Sequence, residues 1–475
     1  MRRLALALAV LAVAAACSST SEQSSVRTQD KEAAASRIGD AANDSVQTEP
    51  GASSTQSRSR STGSVSAPDS TGPRRRANAD VPAPRGGPIK IGFHYSENID
   101  AAYRAFGAEG EFVDFPVTIN KLVDYVNAHG GLGGRKIVPF IYGTDPLNGT
   151  FPAQAEEACT YFAEDAKVSF VVSGAILPED NMPACHAKRG LPLVWSYHYL
   201  LGRQAFDRYA DYLYMPQMIG TYRFGFYADA LASAGYFDRG AKIGLIRYDT
   251  AVHKEFADAV IKPGLSRHKQ KLTAEAAITK PESASRAGDS ASQISSAMLR
   301  FRNAGVDHVL FSPSGGAIPL LWGPTSESQG YYPRLAFTSL DIGNFVTDNL
   351  SDRQLNRAVY IGWMPAGDTY MQYTPKDDAD LEHCKQATGV RDDTDMVRFC
   401  DGLFFLKAAF DRTPSFGVKG LRTAVERLGT AFGSPWSLTT RFAPGRHDGV
   451  SSYRLMRFYA DCSCFKYVGS PHAVP

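Results

Sequence analysis

Across residues 89–475 the hydrophobic positions alternate between two periods. Short runs rich in β-branched and aromatic residues, IKIGFHY (89–95), KIVPFIY (136–142), VSFVVSG (168–174) and LPLVWSY (191–197), have the length and composition of buried strands. Between them apolar residues recur at helical spacing. Ile119, Leu122, Val123 and Val126 fall at i, i+3, i+4 and i+7, and further helices are predicted over 154–164 and 182–188. After a break the alternation restarts with a helix over 222–232, the strand AKIGLIRYD (241–249) and a helix over 251–261. It continues through HVLFSPS (308–314, strand), 317–322 (helix), LAFTSLD (335–341, strand) and AVYIGWMP (358–365, strand). This order predicts an α/β protein with two doubly wound lobes, each a parallel sheet covered by helices on both faces. Ligands in such folds bind at the carboxyl ends of the strands, so a cleft between two lobes is the expected site.

The first helix runs into HGGLGGRK (129–136). A phosphate-cradling loop follows a strand and opens a helix, so that helix N-terminal amides face the anion. Here the order is reversed. Gly130 and Gly131 suit a helix C-terminus, and Gly133 and Gly134 a tight turn into the next strand. The glycines read as a turn.

Residues 1–17, MRRLALALAVLAVAAAC, have a positive head and an apolar stretch too short to span a bilayer comfortably. The pattern resembles a bacterial lipoprotein signal, which implies an extracytoplasmic protein held to the membrane by a lipid on Cys17. An ordinary secretory signal with an incidental cysteine is the alternative. Residues 18–87 lack hydrophobic periodicity and are rich in Ser, Ala, Thr and Arg, the composition of a disordered tether. Its run Arg74–Arg75–Arg76 reads as a solvated charge cluster or a contact for anionic headgroups. The remainder is long enough for two domains at ~150 residues each. A net charge of +2 marks no nucleic-acid binder.

Of seven cysteines, those after Cys17 are even in number, as expected of a disulfide-bonded exported protein. Cys159 pairs with Cys185 and Cys384 with Cys400 in this reading. Cys462 and Cys464 are one residue apart, and their pairing stays open. No histidine stands at ligand spacing beside these cysteines, so neither a metal nor another cofactor is expected.

The segments IKIGFHYS, VDYVNAHGGLGGRKI, VSFVVSG and KRGLPLVWSY resemble the amino-terminal lobe of the type 1 periplasmic binding proteins. The branch is that of the branched-chain amino-acid (Leu/Ile/Val) binding proteins of ABC importers. GAKIGLIRYDTAVHKEFADAV, FRNAGVDHVLFSPS and LAFTSLDIGNF resemble the second lobe, and FAPGRHDGVSSYRLMRFY the closing segment. The most specific piece is Asn-x-x-Gly-Gly-x-x-Gly-Arg-Lys-Ile, from Asn127 to Ile137. The resemblance implies two lobes joined by three crossings, closing on a ligand about a hinge. Lobe one would take 88–208 plus 345–445, and lobe two 209–344 plus 446–475. Relatives also pair cysteines at the positions of Cys159 and Cys185.

Carried over, the resemblance implies that Ser173, Gly174 and Ala175 offer hydroxyl and backbone donors to a ligand carboxylate. A second loop, small and hydroxylated in relatives, here reads Trp195, Ser196, Tyr197, His198, Tyr199. Ser196 and Tyr197 would then meet a larger or flatter ligand than valine, or Trp195 and Tyr197 are core and hinge packing. His253 matches an aromatic of the second lobe; a packed or solvated histidine is the alternative. Asp341 matches an acid that neutralises a ligand ammonium; capping the following segment is its alternative. Ser312, Ser314 and Gly315 form another strand-end loop facing the cleft, and Asp249 would orient that rim.

A secreted hydrolase is the competing class. GDSAS (288–292) superficially resembles a nucleophile motif, yet it is expected in a Ser-rich connector before a helix over 294–302, and FSPSGG lacks the Gly-x-Ser-x-Gly elbow. The sequence therefore points to a non-enzymatic, lipid-anchored solute-binding protein. It would deliver a small polar or amine- or amide-bearing molecule to an ABC transporter permease. A sensor of the same fold reporting to a membrane partner is the alternative.

Overall fold

A computed structural model describes residues 86–105, 112–176, 181–374, 378–391 and 393–475. The signal segment with Cys17, and the tether up to residue 85, lie outside the described residues.

The first sheet contains β1 (Ile89–Ser96), β2 (Ile137–Thr144), β3 (Phe170–Ser173), β4 (Leu193–Trp195) and β5 (Leu213–Tyr214). All pairings are parallel, in the order β2-β1-β3-β4-β5. The second contains β6 (Ile243–Tyr248), β7 (Leu272–Ile278), β8 (His308–Phe311), β9 (Arg334–Thr338) and β10 (Val359–Gly362), followed by β11 (Ser452–Tyr459) and β12 (Cys464–Ala473). Its order is β12-β11-β10-β9-β8-β6-β7, parallel from β6 to β10 and antiparallel at β11 and β12. Each parallel set begins at an inner strand, lays its second strand on one side and its third on the other. Each sheet therefore has a switch point beside its first strand, where a crevice opens at the carboxyl ends.

Strand pairing places two crossings differently from the boundaries expected at 208/209 and 344/345. β5 at Leu213–Tyr214 is the edge of the first sheet, and β10 at Val359–Gly362 lies inside the second. The chain thus leaves the first sheet after Tyr214 and the second after Gly362. It returns to the first through the helix Thr394–Arg412, whose Phe410 ring lies 5.3 Å from Phe170 of β3. It then crosses back to β11.

The helix Phe115–Ala128 buries Ile119, Leu122, Val123 and Val126, the expected stripe. Asp114 caps its start by accepting from the Val117 N–H at 3.0 Å. At its end Gly130, Gly131, Gly133 and Gly134 all have positive φ. A Cβ on Gly131 would stand 2.0 Å from the Arg135 carbonyl oxygen, which only glycine avoids. Asn127 stitches this turn to β2, donating to the Ile137 carbonyl at 3.0 Å and accepting from the Ile137 N–H at 2.7 Å. Asn127→Ala removes both bonds, and is expected to cost about 1–3 kcal/mol. Urea unfolding should show a lower midpoint at unchanged slope.

Among the described residues three disulfides are present. Cys159–Cys185 joins the helices Phe151–Thr160 and Asn181–Lys188, Cys384–Cys400 joins Ala379–Thr388 to Thr394–Arg412, and Cys462–Cys464 closes the turn between β11 and β12. The GDSAS run is not a connector: it lies within the helix Ala287–Asn303. There Ser290 donates to the Thr279 carbonyl and Ser292 to the Gly288 carbonyl, so neither serine is set up as a nucleophile. Among the described residues no helix is long and apolar enough to cross a membrane.

Candidate ligand-binding cleft

A cavity of about 110 Å³ lies between the carboxyl ends of the two sheets. From the first sheet's side come Tyr103 after β1, Phe151 after β2, Ile176 after β3, and Tyr197 and Tyr199 after β4. The second sheet's side supplies Tyr248 at the end of β6 and His253 after it, Ser314 and Gly315 after β8, and Ile342 and Phe345 after β9. Arg398 enters from the helix Thr394–Arg412. The walls are mostly aromatic and aliphatic, with few polar groups, as ligand pockets are.

The two sides touch directly. The Tyr103 and Phe345 rings meet edge-on at 5.3 Å between centroids. A Cβ on Gly315 would lie 3.1 Å from the Tyr197 hydroxyl, and Gly315 has φ +65°, so glycine permits both the turn and the approach. The Phe151 N–H donates to the Glu282 carbonyl at 2.8 Å. The cleft is closed.

Four expected residues line it: Tyr197, His253, Ser314 and Gly315. Tyr197 is buried, and burial pushes its phenol up to about 12, so it presents a neutral ring and hydroxyl. His253 sits with Nε2 2.9 Å from the Pro313 carbonyl and Nδ1 2.7 Å from Thr250 Oγ1. A carbonyl only accepts, so these partners assign the proton to Nε2 and make Nδ1 the acceptor of the Thr250 hydroxyl. Burial lowers its pKa to about 4. With both nitrogens engaged, the imidazole is a neutral packing surface against Tyr248, whose ring is 5.3 Å away. Ser314 accepts from the Ile318 N–H at 3.0 Å, which leaves its hydroxyl proton to donate.

The other expected residues lie elsewhere. Ser173 is fully buried, its hydroxyl 3.1 Å from His94 Nδ1, while His94 Nε2 is 3.0 Å from Thr144 Oγ1. This Ser–His–Thr chain is sealed in the sheet, and burial lowers the His94 pKa to about 3, so His94 is poorly suited to act as a base. Gly174 turns its carbonyl toward Arg398, not its N–H toward a ligand. Ala175 and Ser196 are buried off the cavity. Asp341 takes the capping alternative: its Oδ2 accepts from the Thr338 N–H at 2.9 Å and lies 3.3 Å from Thr338 Oγ1, in a reciprocal capping box. Burial raises its pKa to about 7, which makes it a weak partner for an ammonium. The neighbouring Ile342 is held at φ +58°, an outlier for a β-branched residue. That strain turns Ile342 into the cavity wall, the kind of feature that clusters at ligand sites.

Arg398 was not singled out by sequence reasoning. Its signal was a single cation in the apolar helical run MVRFCDGLFF (396–405). The side chain is 2% exposed and donates from Nη1 to the Gly174 carbonyl at 3.0 Å; Nη2 pairs with Asp395. Nε has no acceptor among the described residues. Burial lowers the guanidinium pKa, an effect opposed by Tyr103, Tyr197 and Asp393. Among the described lining residues none is acidic.

No protein-family model matches the chain, and no curated protein matches it in sequence. Solved structures do match in shape. A substrate-binding protein of an ABC transporter from Aeropyrum pernix aligns with TM-score 0.61 at 12% identity, over 82% of this chain and 97% of that one. A solute-binding protein of an ABC transporter from Rhodopseudomonas palustris BisB5, solved with 3,4-dihydroxybenzoic acid, gives 0.58 at 13% over 81% and 97%. The branched-chain amino acid binding protein LivJ from Streptococcus pneumoniae, solved with isoleucine, gives 0.54 at 15% over 82% and 99%. The chain has the type 1 periplasmic binding protein fold. In that fold the cavity described above is the inter-lobe cleft, and the strand-end loops form its two jaws. Among the described residues no group of three or more His, Cys, Asp or Glu side chains could hold a metal ion.

Proposed function

We propose that this protein is an extracytoplasmic solute-binding protein, anchored by a lipid on Cys17, that captures a small organic molecule and passes it to an ABC importer. The observation that carries this reading is the closed cavity built from strand-end loops of both sheets. A ligand touching both jaws gains its full contact only in the closed form, so it shifts the population toward closure by its differential affinity. A transport partner then has a shape to recognise. The neighbours solved with isoleucine and 3,4-dihydroxybenzoic acid support the reading by analogy of fold. They also span amino acids and aromatic acids.

The test is thermal unfolding of the full chain against carboxylates, amino acids, amides, nucleosides and sugars, with small-angle scattering on any hit. Ligand at 100 times its Kd adds ~2.7 kcal/mol to stability. A rise of several degrees with one chemical class, together with a smaller radius of gyration, is the expected result. No shift and no compaction with any class would overturn solute capture, in favour of a sensor with a macromolecular partner.

A further inference from the structure

The chemistry of the cleft wall narrows the ligand class, given the solute-capture reading above. Six rings, those of Tyr103, Phe151, Tyr197, Tyr199, Tyr248 and Phe345, surround about 110 Å³. An apolar cavity of ~150 Å³ admits benzene, so the closed cleft is on the scale of one six-membered ring. Flat rings stack or meet edge-on with such walls.

The polar end of the site is cationic. Arg398 is held by the Gly174 carbonyl and Asp395, which occupy Nη1 and Nη2. Its Nε–H is buried without an acceptor among the described residues. The guanidinium carbon lies 5.8 Å from the centre of the Tyr197 ring, so the cation and the aromatic wall are adjacent. Lys280 of the opposite jaw also lines the cavity, its ammonium 5.9 Å from the Tyr199 ring centre. A carboxylate oxygen placed on the orphan N–H would make a charge-assisted bond in a site shielded from water. On the other side of the balance, Asp341 has Oδ2 engaged in its capping box and Oδ1 buried without a partner among the described residues, but it is not among the lining residues, and no described lining residue is acidic.

We infer that the cleft binds a carboxylate carried on a single flat ring, with Arg398 holding the acid group and the tyrosine and phenylalanine rings holding the body. The ligand needs no ammonium. The position of the anion contact also differs from the one expected from resemblance: Gly174 acts through its carbonyl, orienting the arginine.

Titration calorimetry of the full chain with benzoate, benzamide, L-phenylalanine and L-leucine tests this. Benzoate should bind, and benzamide, nearly isosteric but neutral, should bind at least about tenfold more weakly. L-Phenylalanine and L-leucine should also be weaker than benzoate. Arg398→Gln should abolish the preference for benzoate over benzamide while leaving benzamide binding in place. If that variant does not fold, the benzoate-to-benzamide ratio of the unaltered protein still decides. Equal affinity for the two, or binding of L-leucine without benzoate, would overturn the carboxylate assignment while leaving solute capture standing. Failure of all four probes would overturn this inference. Solute capture falls with it only if the wider panel also produces neither stabilisation nor compaction.

Discussion

Asp448→Ala should lower the stability of the folded unit by about 3–5 kcal/mol, the usual cost of leaving one partner of a buried ion pair uncompensated. Asp448 is fully buried, and Arg223, with 6% of its side chain exposed, faces it with Nη1 3.0 Å from Oδ2. The carboxylate also accepts from the Gly220 N–H at 2.8 Å and the Tyr222 hydroxyl at 2.7 Å. The guanidinium in turn donates to the carbonyls of Asp448, Val450 and Pro475. Around this pair the Met215 N–H bonds the His447 carbonyl and the Gly449 N–H the Met215 carbonyl. The pair therefore ties the first crossing between the sheets to the third and to the C-terminus. Truncating the aspartate strands a cation and two donors away from water. Urea unfolding of the variant measures the loss. A companion Arg223→Met, Asp448→Leu protein, which removes both charges, should be less destabilised than the single variant. A loss under about 1 kcal/mol for Asp448→Ala would show that the crossings are held together without the pair.

Asp401→Asn should change how stability depends on pH. Asp401 is fully buried in the helix Thr394–Arg412, bonded to the Ser434 hydroxyl, with its second oxygen lacking a partner among the described residues. Burial pushes its pKa up to about 7, the Ser434 bond opposes this, and Asp380 adds to it. An acid whose folded pKa is raised holds its proton in the folded state where the unfolded chain has lost it. Its stability contribution is therefore complete below the ordinary pKa near 3.8 and is lost as pH rises through about 7. Asparagine copies the shape of the neutral acid without titrating. Between pH 5 and 7.5 the unaltered protein should lose about 2–3 kcal/mol relative to Asp401→Asn.

The comparison between the two proteins matters because buried histidines act in the opposite sense. Burial lowers the pKa of His94 to about 3 and of His253 to about 4. These neutral rings cost stability as pH falls below about 6.5. Their effect cancels when one protein is subtracted from the other. Thermal melts of both across that pH range give the difference directly, and parallel curves would show that Asp401 is ionised in the fold.

Much of the lobes was legible from local pattern. Strands such as β1 and β6 carry continuous β-branched and aromatic runs, and the helix Phe115–Ala128 a clean apolar stripe. β7 was not legible: LTAEAAI is small and polar, and it is a strand because it pairs along the whole of β6 at the edge of the sheet. β5 is two residues long, below what any periodicity can mark. The helix Ala317–Gln329 runs on past Trp322 through Pro324, although GPTSESQG reads as its end. Trp322 is buried against Phe311 and Tyr331, and that packing outweighs the local signal.

For the cleft, sequence alone determined which loops would face one another. Strand-end loops of a parallel sheet converge at its switch point whatever their side chains, so Tyr197 and His253, named from the resemblance, and Ser314 and Gly315, named from a strand end, all line the cavity. Which atoms of those loops are free for a ligand was decided only by tertiary structure. Asp341 and the Gly174 N–H look like ligand contacts in a linear reading because local sequence carries no record of hydrogen-bond partners. In the fold, the Thr338 N–H takes Oδ2 of Asp341, and the His94 carbonyl takes the Gly174 N–H, leaving the Gly174 carbonyl to Arg398. Arg398 itself is 224 residues from Gly174, and nothing short of the third dimension brings a buried cation to that wall.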